Sequence, residues 1–371
     1  MIALPSRLQP CRLIGSVLAA AAALSLAACG SSAASAGAPA SASAVASASR
    51  SPTPASDSSP ASPSPGGLAV AADIDLGAVP PNGQRVFAEA PDGTVFFAAG
   101  SVVMVVGGDA APAVAEQPGA TVLGLGAGTS VLYVVTPQAL LAYSRSTGGQ
   151  TGRWPLTASP ARPTSAGVAV GDNGTVWVWT DWATDQSGYE YATVYVVPSG
   201  AARAAVISRD ALPGTLVTDG RDAFFLVAAG NSLGASLVEW QQASEADVTG
   251  DPAPSQSLTG FSRGRVVVYQ SGSGLYSYAP GAGPGSGPRR VGLARTPVTD
   301  PAAFAATSSG LLFLTCTATA CATVTQVDQA TGAPVGSLAV PGSDLSAWLL
   351  LGPAPAVVTA RSGRLHLLRL S

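Results

Sequence analysis

One recurring unit constrains the fold of this chain more than any other feature: a tight polar turn that opens a short apolar strand. Its clearest copy is Asp172-Asn173-Gly174-Thr175-Val176-Trp177-Val178-Trp179. Comparable apolar runs hold Val95, Val131, Val176, Ala223, Val266, Leu311 and Val357 near their starts, 36 to 47 residues apart. The runs are rich in β-branched and aromatic residues and are bounded by Gly, Pro, Asn and Asp, which reads as strands. No amphipathic stretch of helical period and helical length occurs after Leu68.

A period in the forties with several short strands per unit is the signature of a β-propeller blade, whereas helical solenoids have the wrong periodicity within the unit. In the third unit, strands are predicted at 165–170, 175–180, 192–197 and 203–208. The Asp-Gly and Asn-Gly turns at Asp92-Gly93 and Asn173-Gly174 suit the positive φ of a tight hairpin. They lack the D-x-[DN]-x-[DN]-G spacing and distal Glu of a calcium loop. The expected fold is all-β: a seven-bladed β-propeller of four-stranded antiparallel blades, spanning 68–371. The seventh unit ends directly after its third strand, Arg364 to Leu370. From Leu68 to Leu76, apolar residues alternate strictly with Ala69, Ala71, Asp73 and Asp75. Such alternation marks a half-buried strand, and pairing it with Arg364 to Leu370 would close the ring with the N-terminal strand.

Arg7 and Arg12 precede an apolar run from Leu13 to Ala28, which is the pattern of an export signal covering 1–28. Leu26-Ala27-Ala28-Cys29 resembles the lipobox of bacterial lipoproteins. That resemblance implies cleavage before Cys29, lipidation of its thiol, and a chain held on the extracytoplasmic side of the cell membrane. Residues 29–67 are almost wholly Ser, Ala, Pro and Gly and have too little apolar surface to offset ordering, so a disordered tether is expected.

All eighteen basic residues are Arg, and His366 is the single histidine. Without Lys there is no Schiff-base lysine and no phosphate-binding loop of the G-x-x-x-x-G-K-[ST] type, and one His precludes a multi-histidine metal site. The formal charge is −3, with no basic face for nucleic acid.

Ser146-Thr147-Gly148 and Asp328-Gln329-Ala330-Thr331-Gly332 fall between the third and fourth strands of their units. They resemble the D-x-x-T-G turn of quinoprotein-dehydrogenase-like and related bacterial propeller repeats. That family usually carries a Trp shortly after T-G and uses a vicinal disulfide in its cofactor site. Here Trp154 is too far along, the sixth unit has no such Trp, and Cys316 and Cys321 are separated by four residues. The resemblance implies the fold; no cofactor is expected.

Cys316 and Cys321 flank a hairpin connection in the sixth unit, and an exported compartment permits a structural disulfide between them. His366, in the third strand of the last unit, reads as packing. The strongest candidate site is the connection 180–191 in the third unit, where Asp181, Trp182, Asp185, Tyr189, Glu190 and Tyr191 concentrate aromatics and carboxylates. Such a loop can stack on a sugar or anchor a protein. The longer connections lie on the face of the two-to-three loops and blade crossovers, which marks that face for binding. The function expected is a monomeric, membrane-anchored module that binds a protein or glycan. The alternatives are a propeller enzyme, either a lyase or glycosidase using carboxylates such as Asp181 and Glu190 or a quinoprotein-like dehydrogenase, and an envelope assembly scaffold.

Overall fold

The structure is a computed structural model. It describes residues 68–371 apart from 79–84, 108–112, 158–161, 185–189, 229–233, 242–246, 255–256, 271–273, 283–285, 300, 302, 308–309, 317–320, 341–346 and 351–354. The export signal, Cys29 and the tether lie outside the described residues. Those described belong to the unit Pro65–Ser371.

Every regular element among the described residues is a strand. Strand β1 (Val70–Ala78) is followed by β2 (Arg85–Glu89), β3 (Val95–Ala99), β4 (Val102–Val106) and β5 (Ala113–Glu116), which form one four-stranded sheet. A second comprises β6 (Gly124–Ala127), β7 (Val131–Val135), β8 (Ala139–Ser144) and β9 (Gln150–Pro155). An eight-stranded sheet follows: β10 (Ala166–Val170), β11 (Val176–Thr184), β12 (Glu190–Val197), β13 (Ala205–Ala211), β14 (Val217–Thr218), β15 (Ala223–Ala228), β16 (Gly234–Trp240) and β17 (Asp247–Pro254). Two more four-stranded sheets are β18 (Ser257–Ser262), β19 (Arg265–Gln270), β20 (Gly274–Ala279) and β21 (Arg289–Ala294), then β22 (Ala303–Ala306), β23 (Leu311–Cys316), β24 (Cys321–Val327) and β25 (Pro334–Ala339). The last sheet contains β26 (Ala347–Leu350), β27 (Ala356–Arg361) and β28 (Arg364–Leu370), with β1 beside β28.

All pairings are antiparallel, and the architecture is a β-propeller with four-stranded blades. The sequence leads one to expect every unit to be a separate sheet, but the third and fourth share one. The reason is local: β13 runs to Ala211, three residues past its expected end, and Ala211 pairs with Val227 of β15. Among the described residues that is the one ladder pair between β13 and β15, with the Leu212 N–H donating to the Leu226 carbonyl at 2.8 Å beside it. Strand β1 pairs with β28 from Val70↔Leu370 to Ala78↔Arg364, with bulges between Val70 and Ala72 and between Asp75 and Gly77. Its burial alternates as its sequence does, with Ile74 and Leu76 buried and Ala69, Ala71, Asp73 and Asp75 exposed.

The second strand of each unit is apolar on both faces because a blade in a ring is sandwiched between two others. Val95 to Ala98 in β3, Ala223 to Leu226 in β15 and Leu311 to Leu314 in β23 are buried without a break. Such continuous runs mark strands covered on both sides. The outer strands β9 and β25 alternate exposed and half-buried positions. The core is therefore a series of layers between neighbouring sheets, such as Ile74, Leu76, Val95, Phe97, Val358 and Leu367. Each well-buried aliphatic side chain in such a layer contributes roughly 1.5–3 kcal/mol before chain entropy is subtracted.

Polar contacts join successive units. Arg145 donates to Asp92 Oδ2 at 2.7 Å. Trp154 Nε1 donates to the Ala201 carbonyl at 2.8 Å, and Thr259 Oγ1 to that of Thr215 at 2.8 Å. Tyr269 donates to Val298 O at 3.0 Å, and Arg369 Nη2 to Gly93 O at 2.7 Å. Toward the axis, β2, β6, β10, β14, β18, β22 and β26 each abut the next, and β26 abuts β2.

Candidate functional site

The carboxylate-rich connection of the third unit is shorter than its sequence indicates, because its flanks are strand. β11 continues to Thr184 and β12 begins at Glu190, with Ala183 opposite Tyr191 and Thr184 opposite Glu190. Nine residues long, β11 exceeds the other second strands among the described residues, which have five or six. The register slips by one between Asp181 and Ala183, making Trp182 the extra residue of a β-bulge. Bulges of this kind re-aim side chains and gather near functional sites.

Asp181 accepts hydrogen bonds from the backbone N–H groups of Thr164 and Ser165, both at 2.7 Å, and from Thr164 Oγ1. Its carboxylate fastens the segment entering β10 to the hairpin. Across the ladder Asp181 faces Ala192, three positions from the Thr184↔Glu190 pair, so the two carboxylate-bearing positions are not opposite one another. Tyr191 is half-buried. Asp185 and Tyr189, and the side chains of Trp182 and Glu190, lie outside the described residues.

A second feature, absent from the sequence reading, is a cavity of about 410 Å³ on the propeller axis. Its wall includes Phe87, Leu125, Val168, Val170, Leu216 and Phe261. In β2, β6 and β10 it takes the last three residues of each strand. The cavity therefore sits at the end of the ring where the turns after the innermost strands lie. The β11–β12 hairpin projects from the other end, the face singled out by loop length. Glycines let the wall close: a Cβ on Gly126 would overlap Val168, and one on Gly124 would come within 2.8 Å of the Ala166 carbonyl oxygen.

Elsewhere, Arg361 Nη2 lies 2.6 Å from Asp73 Oδ2, and His366 Nδ1 lies 2.9 Å from Asp73 Oδ1 and 2.7 Å from Arg361 Nη2. The expected packing role of His366 misses this charged cluster. The pairing of β1 with β28, with Asp75 opposite His366, is what brings the cluster together. Burial would push the Asp73 carboxyl up, but its bonds to Arg361 and His366 outweigh that and hold it below the usual carboxylate range. Glu239, 1% exposed, is pushed up by burial although it accepts hydrogen bonds from Gly281 N–H and Gln241. Asp222 and Asp219 nearby add to that rise. Cys316 and Cys321 face each other in the β23–β24 ladder. Among the described residues no group of three His, Cys, Asp or Glu side chains is placed to hold a metal ion.

The expected turns between third and fourth strands are formed. Asp328 Oδ1 accepts from Ala330 N–H, Thr331 N–H and Thr331 Oγ1, and Gly332 takes φ +73°. These bonds hold the Asp328 carboxyl below its ordinary value.

No family model matches this chain, and no curated protein does. Among solved structures it is similar to a chain of the mitotic checkpoint complex, at 12% identity and TM-score 0.53, covering 82% of this chain and 96% of that one. It is also similar to the β-propeller domain of Myceliophteria thermophila Cps50 (Swd1), at 9% identity and TM-score 0.52, covering 81% and 98%. A chain of Kuenenia stuttgartiensis hydrazine synthase matches at 12% identity and TM-score 0.50, covering 76% and 94%. At these identities the likeness is one of fold alone.

Proposed function

We propose that this chain is a seven-bladed propeller, closed by its N-terminal strand and displayed outside the cell on a lipid carried by Cys29, where it binds a protein or glycan partner without catalysis of its own. The seven-blade count is supported by the circular succession of innermost strands and by the single ladder pair between β13 and β15. Pairing of β1 with β28 supports closure by both ends of the chain. In this reading Cys316 and Cys321 form a structural disulfide across β23–β24.

The observation that carries the binding reading is the overlong β11–β12 hairpin with its bulge at Trp182. A hairpin whose second strand is longer than its counterparts and whose sequence bears aromatics is suited to a hot-spot contact. The same hairpin weakens the glycosidase alternative, since Asp181 is engaged by three donors from residues 164 and 165.

Two experiments test the proposal. Cys29→Ser should release the protein from the membrane fraction or leave the precursor uncut; normal cleavage with retained membrane binding would contradict the anchor. On an array of cell-envelope glycans, a signal lost on Trp182→Ala with an unchanged melting temperature would identify a glycan partner.

A further inference from the structure

We infer that a cleft between the third and fourth units takes one sugar of an uncharged glycan. This chooses between the two partner classes proposed for the hairpin, and so rests on the reading of that face as a binding surface. The cleft has a volume of about 320 Å³, within the range of small-molecule sites, roughly 300–1,000 Å³. The course of β13 opens it. From Ala192↔Ala211 to Val194↔Ser208 the ladder sets three steps of β13 against two of β12, and from there to Tyr195↔Val206 two against one. Each irregularity adds a residue to β13 and bends it away from a regular ladder. The strand thereby brings Ala211 to Val227 of β15, while residues 207–210 stand across a gap from β15 and β16.

The lining selects the ligand. Ser208, Arg209, Asp210 and Ser236 supply its polar side chains, and Ile207 and Val227, both half-buried, part of its apolar surface. The two hydroxyls donate and accept, the guanidinium donates and the carboxylate accepts. Among the described residues, the hydroxyls of Ser208 and Ser236 and the carboxylate of Asp210 enter no side-chain hydrogen bond. An apolar ligand would strip water from these groups and replace none of its bonds. Arg209 and Asp210, both exposed, set opposite charges side by side, so an anion would meet the carboxylate and a cation the guanidinium. A sugar ring meets every condition: it is uncharged, its hydroxyls both donate and accept, and its C–H face can lie on Ile207 and Val227.

The cleft adjoins the hairpin. Asp181 faces Ala192, Ala192 faces Ala211, and Ala211 faces Val227. Neighbouring strands lie roughly 4.8 Å apart, so this row spans about 14 Å from hairpin to cleft. An oligosaccharide with one unit in the cleft reaches the hairpin, where aromatic residues can stack on a further unit.

The probe is the pool of oligosaccharides released from the host's own cell envelope, labelled with a fluorophore at the reducing end and split by ion exchange into uncharged and charged fractions. Fluorescence polarisation with the full chain in detergent should show saturable binding of the uncharged fraction, abolished by periodate, which cleaves the vicinal diols of sugars. A Ser208→Leu/Ser236→Leu variant of unchanged melting temperature should bind roughly tenfold more weakly, as expected for two lost hydrogen bonds. Should that variant fold poorly, Ser208→Cys supplies a second readout: its labelling by a small maleimide, above the background of the unsubstituted chain, should slow when the uncharged fraction is present. Monosaccharides from complete hydrolysis of the same fraction should compete weakly; full competition at equal mass would point to a free sugar and overturn the glycan. No saturable binding, binding confined to the charged fraction, binding indifferent to periodate as for a peptide, an unaffected double variant that folds, or labelling of Ser208→Cys indifferent to the probe would each overturn the proposal. The two readings fail separately. Weakening by Trp182→Ala with the double variant unaffected removes the cleft and leaves the hairpin, and the reverse removes the hairpin and leaves the cleft.

Discussion

The Arg361 guanidinium sits 2.6 Å from the Asp73 carboxylate and so ties the next-to-last strand of the chain to its first. His366 Nδ1 lies between them and satisfies only one neighbour at a time: with a lone pair it accepts from Arg361, and with a proton it donates to Asp73. Asp73 has a lowered pKa, so its stabilising contribution is present above its unfolded value near 3.8 and is lost as pH falls through the folded value. Its side chain is 38% exposed, which places the pair among those worth about 0.2–1 kcal/mol. Asp73→Asn should lower the melting temperature by about 1–3 °C at pH 7, and that difference should shrink below pH 4. A difference independent of pH would show that the carboxylate's charge is not involved.

Removing β1 should expose the apolar edge that it covers. Ile74 and Leu76 are 8% and 6% exposed and pack against Val358, Leu365 and Leu367. Each would contribute roughly 1.5–3 kcal/mol in transfer terms. A chain starting at Gly77 is expected to melt several degrees earlier and to self-associate through the uncovered edge of β28. Light scattering and calorimetry against a chain starting at Gly67 read both effects; equal stability and a monomeric profile would count against closure by β1.

Glu239 makes the opposite pH prediction. Burial, with help from Asp222 and Asp219, raises its folded pKa above the ordinary 4.5. A raised carboxylate contributes stability below the unfolded pKa and loses it as pH rises through the folded value. Glu239→Gln removes that dependence while costing part of the contact with Gln241, which donates to Glu239 and to the Ser286 carbonyl. The melting temperature of the variant relative to the parent should therefore rise between pH 4 and pH 8. A constant offset would mean that Glu239 titrates at its ordinary value.

A Cys316–Cys321 bond would close a very short loop. Short loops restrict the unfolded chain little, so reduction should cost at most about 2–3 kcal/mol. Maleimide labelling of the folded, unreduced protein should find neither cysteine reactive; two labelled thiols would refute the bond.

The repeat was legible because blade stacking leaves a sequence record. The unbroken burial of Val95 to Ala98 and Leu311 to Leu314 needs apolar residues on both faces, and Gly93 and Gly174, at φ +78° and +81°, need the Asp-Gly and Asn-Gly turns. The alternation of Val70 to Leu76 was legible for the same reason. The pairing of Ala211 with Val227 was not, since one pair at a crossover has no periodic signature. Nor was the extension of β11 to Thr184, where Asp181, Trp182 and Asp185 look like loop composition but Thr184 and Glu190 still pair. The axial cavity is written only in small residues at the ends of first strands, such as Ala88, Ala127 and Ala169, each unremarkable alone. Side-chain clusters such as Asp73, Arg361 and His366 depend on pairing two ends of the chain, which spacing does not encode.

The central claim is that the β11–β12 hairpin is the contact surface of a displayed binding module, and photo-crosslinking in the native host tests it most directly. Benzoylphenylalanine would be placed at position 182 and, separately, at position 147, in a turn at the opposite end of the ring. The account predicts a discrete covalent adduct from position 182 and none from position 147, with membrane localisation and melting temperature unchanged in both. No adduct from position 182, or the same adducts from both positions, would contradict it.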